Sequence, residues 1–210
     1  MSRFQCRPVR RALTAAALLL AAACAPASDE TAAGAPADSL RGLALPEPIE
    51  KPGMVLADTD GEPFDVRAET DGRLTFLFFG YTHCPDVCPI HMGSLAAALD
   101  HLGRETRAAT TVVFVTTDPE RDTPERIREW LDRWDRSFVG LRGTVEEVGA
   151  IQDSLRMPRS VTEAPDAEGN YMVGHAAQVV AFAPDGRTVF YPFGIRTEDW
   201  VHDIPLLLAR

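Results

Sequence analysis

Two cysteines four residues apart, Cys84 and Cys88, stand in the stretch Gly80-Tyr81-Thr82-His83-Cys84-Pro85-Asp86-Val87-Cys88-Pro89. Residues four apart in helical turns share one face, with Cα atoms about 6 Å apart. That lies inside disulfide reach, which extends to about 6.8 Å. The same spacing makes a two-thiolate pincer for a soft metal ion. Thiolates select Cu(I) or zinc, and a structural zinc normally takes four protein ligands. With only two sulfurs on offer, a third ligand must come from elsewhere, and an incomplete shell suits a carrier that later releases its ion. A structural disulfide is the plainer reading, since export favours it. Closing so short a loop, however, constrains the unfolded chain little.

Those cysteines must be positioned by a folded part, and composition says where it lies. The first residues carry Arg3, Arg7, Arg10 and Arg11 and no acid, followed by an apolar run from Ala12 to Ala23 broken only by Thr14. A basic head and a short greasy stretch ending in small residues read as an export signal, too short for a permanent span of about 20 apolar residues. Ala21-Ala22-Ala23-Cys24 resembles a bacterial lipobox with Cys24 as the lipidated new N-terminus, although Ala21 stands where a larger aliphatic is usual. Cys6 falls inside the signal. The expected organisation is a signal at 1–23, a flexible tether at 24–50 rich in Ala, Pro and acids, and one domain at 51–210. Loss of four arginines from a chain of formal charge −10 leaves the mature protein near −14. Such a surface does not seek nucleic acid or anionic lipid, which need clustered Lys and Arg.

Within the domain, Asp60-Gly61 marks a hairpin between two short extended pieces from Met54 to Arg67. Leu74 to Phe79 and Thr111 to Val115 are nearly unbroken apolar runs, as in strands of a parallel sheet covered on both faces. Met92, Leu95, Leu99 and Leu102 recur at helical spacing between them. A second helix opens at Thr123-Pro124 with Ile127, Trp130, Leu131 and Trp134 on one side, and a third at the capping box Thr144-Val145-Glu146-Glu147. Gln178 to Phe182, Pro184-Asp185-Gly186 and Thr188 to Tyr191 spell an antiparallel hairpin. A last helix starts near Thr197, with a break or kink expected at Pro205. The order predicts an α/β domain, a mostly parallel central sheet with flanking helices and an antiparallel C-terminal edge. Cys84 and Cys88 then sit where the first central strand enters the first helix, and ligands gather at such carboxyl ends. A helix start also favours thiolate over thiol.

The strings FFGYTHCPDVCP, TTDPERDTPE, FVGLRGT and NYMVGH, in this order, closely resemble the Sco/SenC family from about Val55 to the C-terminus. The resemblance implies a thioredoxin-like fold and copper, as Cu(I), Cu(II) or both, held by Cys84, Cys88 and a distant histidine, His175. It further implies assistance in assembling the CuA centre on subunit II of cytochrome c oxidase, as copper donor, thiol reductant or both. With the lipobox, the expected setting is the periplasmic or extracytoplasmic face of a membrane, with the chain as a monomer. One departure stands out. The family usually reads Asp-His-Ser where this chain has Gly174-His175-Ala176, so groups that could orient the imidazole are missing.

His83 abuts Cys84 and His91 sits one turn past Cys88; neither is expected to be a ligand, and His83 is expected to pack or to tune the thiolate, while His101 and His202 read as helix-surface residues. Asp118 and Asp122 are explained by turns and capping. Met54, Met92, Met157 and Met172 form no M-x-x-M relay. The competing function is a thiol–disulfide oxidoreductase that reduces a partner's cysteines without metal, for which Cys84 and Cys88 alone suffice. A peroxidase fits less well, because peroxiredoxins carry Thr where this chain has Tyr81. A thiol redox sensor is a third reading of the same pair.

Overall fold

The computed structural model describes residues 39–209. In chain order the elements are β1 (Leu43–Ala44), β2 (Val55–Asp58), β3 (Pro63–Asp65), α1 (Val66–Glu69), β4 (Leu74–Gly80), α2 (Val87–Leu102), α3 (Arg104–Ala108), β5 (Thr110–Thr116) and α4 (Pro124–Leu131). There follow β6 (Val139–Arg142), α5 (Val145–Ser154), β7 (Val161–Thr162), β8 (Val173–Gly174), β9 (Val179–Phe182), β10 (Thr188–Tyr191) and α6 (Thr197–Leu208). Eight strands form one sheet in the order β1-β10-β9-β4-β5-β6-β2-β3, and β7 pairs with β8 alone. Parallel pairing is confined to β4 with β5 and β5 with β6. The remaining neighbours are antiparallel, so the sheet is mixed and only its centre is parallel.

The unbroken apolar strands work as their composition implies. Successive side chains point to opposite faces, and both faces of β4 and β5 are covered. Leu74, Phe76, Phe78, Val112 and Phe114 enter one core with Met92, Leu95 and Leu99 of α2, Ile127 and Leu131 of α4, and Trp200 and Ile204 of α6. Leu77, Phe79, Val113 and Val115 enter the other with Leu56, Val66, Val148 and Ile151. The helix starts behave as read: Thr123 accepts from Arg126 N–H with Pro124 in the first turn, and Thr144 and Glu147 close a reciprocal capping box. Asp60-Gly61 turns β2 into β3, Gly61 adopting φ +85°.

Four features depart from expectation. Part of the segment read as tether is built into the sheet: β1 pairs with β10, and the Arg41 and Gly42 N–H groups donate to the buried carboxylate of Asp203 at 2.8 and 3.1 Å. Ile49 is tied both ways to the Thr188 hydroxyl. The stretch orders because its backbone finds partners and because Leu40 and Ile49 pack against the two cores. Strand β6 carries no apolar run that marks it in the sequence, being four residues with Gly140 inside. A Cβ at Gly140 would lie 2.4 Å from Ile127 Cγ2, so the glycine lets α4 close on the sheet. Helix α4 stops at Leu131, leaving Trp134 to pack from the following turn. Finally, α6 does not stop at Pro205. The proline forgoes one hydrogen bond on the exposed side, and Ile204 and Leu207 in the core hold the last turn.

Candidate metal centre

Strand β4 delivers the chain to Gly80, whose carbonyl accepts from Thr117 N–H at 2.7 Å, keeping the ends of β4 and β5 together. A Cβ on Gly80 would come within 2.7 Å of Cys88 Sγ, so only glycine leaves room for the thiol there. The turn that follows is fixed from below by Asp122. Its buried carboxylate accepts from Thr82 N–H (2.9 Å), the Thr82 hydroxyl (2.6 Å) and the Thr116 hydroxyl (2.6 Å). Asp86 then caps α2 through Val87 N–H. Cys84 lies just ahead of the helix and Cys88 in its first turn, whose backbone N–H donates to Cys84 Sγ at 3.4 Å.

His175 arrives from the far end of the sequence, on the segment between β8 and β9. Its Nε2 lies 3.6 Å from Cys88 Sγ, and its Nδ1 lies 3.0 Å from the carbonyl of Ala176. A carbonyl only accepts, so Nδ1 carries the proton and the Nε2 lone pair faces the sulfurs. Phe78 and Tyr81 meet the ring edge-on, centroids 5.8 and 5.6 Å away. The donor atoms of Cys84, Cys88 and His175 all lie within 4.8 Å of one another. Cys88 is fully buried, Cys84 is 8 % exposed and His175 is partly buried, so the imidazole is the most accessible of the three donors. Two soft sulfurs and one imidazole nitrogen fit a copper ion, and the donor set falls short of the four ligands of a structural zinc.

The two thiols are not equivalent. Hydrogen bonds from the Cys88 thiol and from backbone N–H groups pull Cys84 down to about 4, against the effect of burial. Burial and the adjoining Cys84 charge push Cys88 strongly upward. The reduced pair therefore carries one proton, held on Cys88, and one thiolate, on Cys84.

Further partners hold the His175 arm. Arg121 Nη1 donates to the Tyr171 carbonyl at 3.0 Å while its guanidinium lies 3.5 Å over the Tyr171 ring, and the Tyr171 hydroxyl donates to Asp118 at 2.9 Å. Nothing in the spacing of these residues announces that clamp. His83, Asp118 and Asp122 form a second cluster of ligand-type atoms. Both its carboxylates are already engaged by Thr82, Thr116, Arg121 and Tyr171, which leaves them as the turn and loop supports that sequence suggested. His101 is exposed, whereas His202 is partly buried with Nδ1 2.7 Å from Asp203. His91 is fully buried and not among the converging donors. Met54, Met92 and Met157 are core residues, and Met172 accepts a hydrogen bond from the Tyr81 hydroxyl at 3.7 Å. Cys6 and Cys24 lie outside the described residues.

The family model described as SCO1/SenC matches residues 47–206. The chain belongs to the Sco/SenC family. A putative copper-binding protein of Stutzerimonas stutzeri is 34% identical over 85% of this chain and 86% of its own length. Among solved structures, apo Sco1 from Thermus thermophilus is 30% identical with a TM-score of 0.70, over 81% of this chain and 98% of that one. Copper-bound ScoI from Bradyrhizobium japonicum is 28% identical with a TM-score of 0.63, over 81% of this chain and 100% of that one. The fold is accordingly the thioredoxin-like fold of Sco proteins. Gly174 and Ala176 carry no polar side chain, and His175 Nδ1 takes a backbone carbonyl as its hydrogen-bond partner.

Proposed function

We propose that this chain is a copper carrier serving assembly of the CuA centre of cytochrome c oxidase, with Cys84, Cys88 and His175 as copper ligands. The observation that carries this reading is the convergence of two sulfurs and an imidazole nitrogen within 4.8 Å. The copper held by a solved Sco relative supports it. Two thiolates and a neutral imidazole suit Cu(I), and the imidazole also serves Cu(II). Because Cys84 is already a thiolate, loading displaces one proton, from Cys88. Delivery is ligand exchange, in which a thiolate of subunit II takes the copper. We further propose residues 1–23 as a signal and Cys24 as the lipid-bearing N-terminus, which holds the domain at the extracytoplasmic face. Among the described residues no helix is long and apolar enough to cross a membrane.

A second reading draws on the unequal thiols. Cys84 thiolate attacks a partner disulfide and releases one partner thiolate. Cys88 then attacks the mixed disulfide and releases the second. Two electrons pass to the partner and a Cys84–Cys88 disulfide remains. His175 separates the two readings, because exchange runs through sulfur alone. The reduced protein should bind one copper per chain in competition with a Cu(I) chelator, and Cys84→Ser or Cys88→Ser should abolish binding. His175→Ala should weaken it by at least the 10- to 100-fold typical of a lost supporting partner, while still forming the disulfide. Cells carrying only His175→Ala should fail to mature cytochrome oxidase about as badly as cells carrying Cys84→Ser. Full maturation with copper affinity lost would transfer the function to the reductase.

A further inference from the structure

We infer that His91 is a positioning residue for His175, tying the helix that bears Cys88 to the backbone two residues beyond the imidazole. This rests on the copper reading above and adds to it a residue outside the three donors. His91 lies one turn after Cys88 on α2 and has no exposure to solvent. Its Nε2 is 2.9 Å from the carbonyl of Ala177, so Nε2 carries the proton and donates. The ring otherwise sits among aromatic groups, Phe78 at 5.1 Å and Phe193 at 5.8 Å between centroids, and Nδ1 has no partner. An imidazole with one nitrogen unsatisfied is a poor core residue, since burying a polar group without a partner costs free energy. A leucine would pack there at less cost. What only the histidine supplies is the bond to Ala177.

That bond matters because of how His175 is held. Residues 175–178 lie between β8 and β9, outside either strand ladder. Gly174 and Ala176 offer no polar side chain, so the tautomer and tilt of His175 depend on the Ala176 carbonyl. Ala177 is the next residue. Fixing its carbonyl from α2 fixes the neighbouring peptide that sets His175, and it refers both to the helix that carries Cys88. Arg121 holds the upstream end of the same arm at Tyr171, so the imidazole is suspended between two anchors.

The test compares His91→Leu, which keeps apolar volume and loses the donor, with His91→Gln, which can return an N–H to Ala177. In the full mature chain, His91→Leu should weaken Cu(I) binding by 10- to 100-fold in chelator competition and alter the absorption spectrum of the Cu(II) complex. His91→Gln should restore most of both. In a His175→Ala background His91→Leu should cost nothing further, because a residue acting through His175 has nothing left to position. In the metal-free protein, His91→Leu should split or broaden the NMR signals of the His175 ring. An affinity within threefold of the parent, or an equal loss with and without His175, would overturn the inference. A parent chain that takes no copper would sink the copper reading instead, and the His175 ring signals would still decide the role of His91.

Discussion

Cys84 lies just ahead of α2 and Cys88 in its first turn, yet their surroundings divide a single proton between them unequally. Cys84 collects hydrogen bonds to its charged form, and Cys88 is sealed behind it. A thiol with an ordinary value near 8.5 loses reactivity about tenfold per pH unit below it, because the thiolate is the nucleophile. Cys84 is held near 4, so its thiolate persists as pH falls through the neutral range and disappears only as pH drops through about 4. Alkylation of the reduced protein at pH 6 should therefore modify Cys84 almost as fast as at pH 8 and leave Cys88 unmodified, as read by peptide mass spectrometry. A rate at Cys84 that falls a hundredfold between those values would contradict the assignment. The glycine beneath the pair is equally constrained. Gly80→Ala drives a methyl group against Cys88 Sγ and Phe78, and overpacking of this kind costs about 1–3 kcal/mol, measurable by urea unfolding.

Among the elements, the connection from β4 to α2 determines the site, and Asp122 governs that connection from outside it. Its carboxylate binds the Thr82 backbone, the Thr82 hydroxyl and the end of β5 through Thr116. Asp122→Ala leaves these donors buried without an acceptor. Hydrogen bonds to charged groups contribute about 1.5–3 kcal/mol each, so a net loss of about 3 kcal/mol is expected in denaturant unfolding. Faster hydrogen exchange confined to the Thr82–Asp86 turn would accompany it. The capping box of α5 offers a milder comparison, since Thr144→Ala should cost only about 1 kcal/mol and leave copper binding unchanged.

For the whole molecule, the sheet closes at its far edge with residues that look like linker. Strand β1 pairs with β10, and Asp203, buried beneath it, accepts from Arg41 N–H, Gly42 N–H and the Tyr191 hydroxyl. A chain starting at Ser39 should unfold in one cooperative transition. A chain starting at Lys51 strips Asp203 of two backbone donors and should unfold at a temperature lower by about 3–6 °C, at a cost of about 1–2 kcal/mol. Equal melting temperatures would show that β1 adds nothing to the domain.

Local chemistry was legible where it is written in short stretches of sequence. The thiol pair, the apolar central strands, the helix starts at Thr123 and Thr144 and the C-terminal hairpin each depend on neighbours within a few residues, and each stands in the structure as read. His175 as third donor could be named only through a family resemblance, because no spacing rule links it to a thiol 87 residues away. The structure alone brings its Nε2 to Cys88. The same limit hid β6, whose glycine makes sense only against Ile127 of a packed helix. It hid the ordering of residues 39–50, which rests on backbone partners far along the chain. It also hid His91, in sequence an unremarkable residue one turn past a cysteine. Contacts between distant segments form because folding buries both at once, and that coincidence is a property of the tertiary structure.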